Sequence, residues 1–95
     1  MTDQDFLGAL TEVAKLAKPM HRDIVKVDNM EAPWAEFQID SLDLLMVCIY
    51  MCDLYQVPEE IGKTMYPKTP ASMKEFLEAN GKEPEDLAAA LGALE

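Results

Sequence analysis

The sequence predicts an all-α domain. Apolar residues recur at helical spacing in several separate segments. Capping residues, prolines and a glycine stand where those segments begin and end. No stretch alternates apolar and polar residues with the period of a strand. The 95 residues suffice for one domain and not two. The expected architecture is three main helices and one short helix, with a further helix in the C-terminal tail. Residues 1–80 would form the domain and 81–95 an extension that either docks on it or frays.

The elements follow in order. Thr2 to Lys18 reads as a helix: Thr2 caps, Asp3 and Asp5 sit in the first turn, and Lys15 and Lys18 in the last. Phe6, Leu10, Val13, Ala14 and Ala17 give it one apolar face, and Pro19 stops it. Residues 19–39 show no dominant period and read as a long connection that Trp34 and Phe37 pin to the core. Asp40 to about Gln56 forms the second helix, ended by Pro58. Pro58-Glu59-Glu60 opens one short turn. Thr69 caps the next helix, Pro70 takes its first position, and Asn80-Gly81 stops it. In the tail, Pro84-Glu85-Asp86 resembles a helix start, and Leu87, Leu91 and Leu94 share a face. Short helices are marginal alone in water.

Composition narrows the function. Lys and Arg total 8 against 18 Asp and Glu, a formal net charge of -10. That argues against a nucleic-acid binder, which must neutralise phosphates with its own cations, and against anionic membrane surfaces. No Lys or Arg occurs between Lys26 and Lys63, whereas Asp28, Glu31, Glu36, Asp40, Asp43, Asp53, Glu59 and Glu60 fall in that window. One region should be strongly electronegative and suit a basic partner. The start, MTDQDF, lacks the pattern of a signal peptide, and the apolar run from Leu42 to Val57 is too short to span a bilayer. Cys48 and Cys52 are expected to be buried free thiols in a reducing cytoplasm. No metal site is expected, because His21 is the single histidine. His21 has no evident partner and there is no Gly-rich phosphate loop, so no catalytic residue is assigned.

The second helix carries the question of function. At about 100° per residue, Leu44, Leu45, Val47, Cys48, Met51, Cys52 and Tyr55 fall in one arc without charge, the expected core face. Leu42, Asp43, Met46, Ile49, Tyr50, Asp53 and Leu54 fall in the other. That second arc either contacts a partner or lies under the long connection or the tail. Ser41 stands where the helix begins. Asp40 or Ser41 could be its N-cap. A helix N-terminus also accommodates a phosphate well, so the Ser41 hydroxyl could carry a phosphodiester.

Asp40-Ser41-Leu42 before an apolar helix resembles the Asp-Ser-Leu motif of acyl carrier proteins. The order of elements over residues 3–80 is similar to that family too: amphipathic helix, long loop, motif helix, short acidic turn, Thr-led helix. The resemblance implies an acyl-carrier-like bundle and no catalysis by the chain itself. It implies that Ser41 carries 4′-phosphopantetheine, installed from coenzyme A by a phosphopantetheinyl transferase. Acyl groups would ride on the prosthetic thiol as thioesters, for fatty-acid, lipid or polyketide-type enzymes with basic docking patches. Asp40, Asp43, Asp53, Glu59 and Glu60 match that docking role in part, and Leu42, Met46, Ile49 and Tyr50 of the outer arc are read with them as partner-binding residues. A cytoplasmic monomer is expected, and seven Met could let a core adapt to an acyl chain or simply fill gaps. Family members typically carry several glutamates where this chain has Met46, Ile49, Tyr50 and Leu54, which implies a specialised carrier. A D-alanyl or aminoacyl carrier stays open, as does an unmodified acidic helical interaction module. The segment EFQIDSL lacks the glycines that usually precede the serine of a peptidyl carrier.

Overall fold

The computed structural model describes residues 1–21 and 25–94; Arg22, Asp23, Ile24, Glu95 and the side chain of His21 lie outside the described residues. The expectation that His21 lacks a partner lies outside them as well. Five α-helices are present among the described residues: α1 Asp3–Ala17, α2 Ser41–Tyr55, α3 Glu59–Gly62, α4 Pro70–Asn80 and α5 Leu87–Leu94. No strand occurs among the described residues. The chain is all-α, with the extra C-terminal helix formed.

Local chemistry sets the helix ends. The Thr2 hydroxyl accepts the Asp5 N–H at 3.1 Å, and the Asp5 carboxylate accepts the Thr2 N–H, closing a reciprocal cap on α1. The Thr69 hydroxyl accepts the Ser72 N–H, and Pro70 takes the first position of α4. The α2 helix stops at Gln56, whose backbone is left-handed at φ 57°. Gly81 ends α4 for a different reason from a left-handed turn. Its φ is -139°, extended backbone. A Cβ there would come within 2.6 Å of both the Tyr55 carbonyl oxygen and Val57 Cγ2. The glycine therefore allows close approach, and the Lys82 N–H donates to the Tyr55 carbonyl at 2.7 Å.

The core lies between α1, α2 and α4. Phe6, Leu10 and Val13 meet Val47, Met51, Tyr55, Met73 and Leu77, all fully buried. The Phe6 and Tyr55 rings pack edge to face, with centroids 6.4 Å apart. The long connection is held down at several points. The Thr11 hydroxyl accepts the Val27 N–H at 3.0 Å. The Trp34 indole N–H donates to the Pro67 carbonyl at 3.0 Å, and Trp34 packs edge to face on Phe37. Trp34 to Phe37 form a 3₁₀ turn that no sequence period indicated. It ends at left-handed Gln38 and delivers buried Ile39 to the start of α2.

Two α2 positions differ from the expected arcs. Leu45, assigned to the core face, is 57% exposed, and Leu54, assigned to the outer face, is 5% exposed. Both lie near the boundary between the arcs, where the covering neighbour decides. The short α3 sits over Cys52, with a Cβ on Gly62 only 3.1 Å from Cys52 Sγ, and so reaches the end of α2. Leu45 lies two turns earlier. Leu54 is covered because α5 packs across α1 and α2. The tail therefore covers the outer arc at Leu54 and leaves Leu42, Met46 and Ile49 open.

Candidate functional site

The site is built around the first turn of α2. Asp40 is its N-cap, with extended backbone: its carboxylate accepts the Asp43 N–H at 2.9 Å. In return, Asp43 accepts the Asp40 N–H at 3.3 Å. This reciprocal pair satisfies two of the free donors at the helix start. It also decides between the two candidate caps. Ser41 occupies the first helical position, exposed, and its hydroxyl has no hydrogen-bond partner among the described residues. The Ser41 and Leu42 N–H groups likewise have no protein acceptor among the described residues. An exposed hydroxyl thus stands beside two free donors at the positive end of a 15-residue helix.

Asp43 has a structural role. Its carboxylate accepts from the Lys18 ammonium at 2.8 Å, which ties the end of α1 to the start of α2. The hydrogen bond from Lys18 is the largest of the effects that hold its carboxyl below the usual value of 3.8; burial opposes it, and the Asp40 N–H assists it. This residue was grouped with the partner-facing acids, but most of its charge is spent inside the domain. Sequence spacing gave no sign of the pair, because Lys18 and Asp43 are 25 positions apart.

Leu42, Leu45, Met46 and Ile49 form one exposed stripe at i, i+3, i+4 and i+7, with exposures of 74, 57, 39 and 48%. It begins at the residue after Ser41 and runs toward exposed Asp53. Tyr50 is half-buried at the edge. Asp40, Glu59 and Glu60 are exposed. Ile61 on α3 and Tyr66 beyond it add exposed apolar surface that was not assigned a role from sequence. The structure therefore joins Ser41, Leu42, Met46, Ile49 and Asp53 in one surface, adds Leu45, and separates Asp43 from it.

The two thiols are free, Cys48 half-buried and Cys52 buried. Burial pushes the Cys48 thiol up to about 12, with Cys52 adding to the effect, and burial beside Asp53 raises Cys52. Neither is a nucleophile near neutral pH. No group of three or more potential metal ligands occurs among the described residues. No helix of the described chain is long and apolar enough to cross a membrane.

No protein-family model, no curated protein and no solved structure matches the chain.

Proposed function

We propose that this chain is an acyl carrier protein, with 4′-phosphopantetheine joined to Ser41 Oγ through a phosphodiester. One observation carries the reading: Asp40 caps α2, so the Ser41 hydroxyl is exposed and uncommitted at the helix N-terminus. A serine needed only to start the helix would hold a backbone N–H. The residues present suit the group. Ser41 would supply the oxygen, and the Ser41 and Leu42 N–H groups, which have no protein acceptor among the described residues, would favour a phosphate at this helix end. Lys18 neutralises Asp43, which lowers the repulsion a phosphodiester would meet there. When bound, the prosthetic thiol supplies thioester chemistry; the chain holds, presents and is recognised.

Recognition falls to the stripe Leu42, Leu45, Met46 and Ile49, with exposed Asp40 and Asp53 toward its two ends and exposed Glu59 and Glu60 on α3 adding negative charge. The transferase and the acyl-handling enzymes would meet it with an apolar surface ringed by Lys and Arg. The stripe supports a dedicated set of partners, since apolar complementarity discriminates by shape where charge alone does not. The direct test is labelling with a fluorescent coenzyme A analogue and a broad-specificity transferase. Wild type should gain one label and Ser41→Ala none, while both keep the same helical spectrum. A folded wild type that takes no label would leave an acidic interaction module that uses the same stripe unmodified.

A further inference from the structure

The tail helix α5 is packed unlike the others. None of its residues is buried; Leu87, Ala90, Leu91 and Leu94 are only half-covered where they meet the core. Clefts open on both sides of it. One, of about 220 Å³, lies between Glu12 and Leu16 of α1 and Ala88, Leu91 and Gly92 of α5. The other, of about 410 Å³, lies between Asp53 and Leu54 of α2 and Ala90, Ala93 and Leu94 of α5. Both clefts open to the surface, so α5 meets the bundle along a narrow seam. Gly92 adds to the looseness. It costs helix stability, and a Cβ there would touch nothing within 4 Å.

Polar contacts are distributed unevenly along the tail. Its base is anchored: the Lys82 N–H bonds the Tyr55 carbonyl, and Glu83 pairs with the N-terminal ammonium at 2.7 Å. Beyond that point the hydrogen bonds are local, with Asp86 capping the Ala89 N–H at 3.1 Å. Among the described residues no hydrogen bond or ion pair links Leu87–Leu94 to α1 or α2. Lifting α5 breaks only apolar contacts, each partial, and an eight-residue helix is marginal once detached.

We propose that α5 is a hinged strap. It pivots about Pro84–Asp86 and leaves the α1–α2 seam while the other helices stay folded. Opening uncovers Leu16 and Leu54, giving the protein an apolar groove separate from the α2 stripe and independent of any modification at Ser41. Such low-stability units exchange their amides without global unfolding.

Hydrogen exchange of the full chain under native conditions, read by mass spectrometry, tests this. Amides of α5 should exchange at least about tenfold faster than those of α1 and α2, and their rates should not follow denaturant. Gly92→Ala should slow α5 exchange about fivefold, the effect of one such replacement in a helix, and leave α1 unchanged. Leu91→Asp should release α5 and leave the α1 amides protected. Protection of α5 equal to that of α1, with Gly92→Ala slowing both alike, would show that the tail opens only with the whole domain and overturn the strap. If Leu91→Asp unfolds the chain, that too counts against an independent strap.

Discussion

At the residue scale, the division of labour between Asp40 and Ser41 is the central finding. The sequence left either as the cap, because both side chains can accept an N–H at a helix start. Only the geometry distinguishes them: Asp40 has extended backbone and Ser41 is already helical. Asp40→Ala should therefore destabilise the domain by about 1 kcal/mol. Ser41→Ala should change it by less than about 0.5 kcal/mol, as at an exposed position without partners. Urea melts of the two variants would check this, and the reverse order would return the capping role to Ser41. Asp43 makes a second prediction. Its carboxyl is held below 3.8 in the folded state, chiefly by Lys18, so its contribution is present above that value and disappears as pH falls through the folded one. Asp43→Asn should cost about 1 kcal/mol at pH 7, and the cost should shrink as pH falls below 3.8. The buried thiol has the opposite sign. Cys48 keeps its proton to about pH 12 when folded but loses it from 9.0 when unfolded, so stability should decline as pH rises through that window. Cys48→Ala should flatten the decline in the urea midpoint; an unchanged slope would show that burial of Cys48 is not its source.

At the scale of elements, what could be read from the chain depended on how local the causes were. The starts of α1 and α4 follow from Thr2 with Asp5 and from Thr69 with Pro70, each within four residues. The 3₁₀ turn at Trp34–Phe37 has no repeating pattern, and one of the contacts that hold it in place, the Trp34 indole on the Pro67 carbonyl, comes from 33 positions away. The faces of α2 were legible at their centres and not at their edges. Val47 and Met51 are buried, as the wheel implies; Ile49 is open, which the wheel left undecided, and Leu45 and Leu54 depend on whether α3 or α5 reaches them. That is why the stripe could not be drawn complete from sequence. Its function is testable at the same scale. Met46→Glu with Ile49→Glu should raise the KM of the transferase about tenfold, or 1.4 kcal/mol, with little effect on folding, since both side chains already meet water. An unchanged KM would place recognition elsewhere.

At the scale of the whole molecule, a net charge of -10 is combined with an exposed apolar stripe on α2. Charge acts at long range and speeds encounter, while apolar contact acts at short range and holds the complex. Association with a basic partner should slow as ionic strength rises, and dissociation should change far less. The stripe lies on α2, which also presents exposed Asp53 and carries Ser41 at its start. The measurement that tests this most directly is the intact mass of the protein after incubation with coenzyme A and a phosphopantetheinyl transferase, followed by peptide mapping. A gain of one phosphopantetheine, mapped to Ser41 and absent in Ser41→Ala, is the expected result. A folded wild-type protein whose mass does not change, or a gain that persists in Ser41→Ala, would contradict the assignment of Ser41 as the point of attachment.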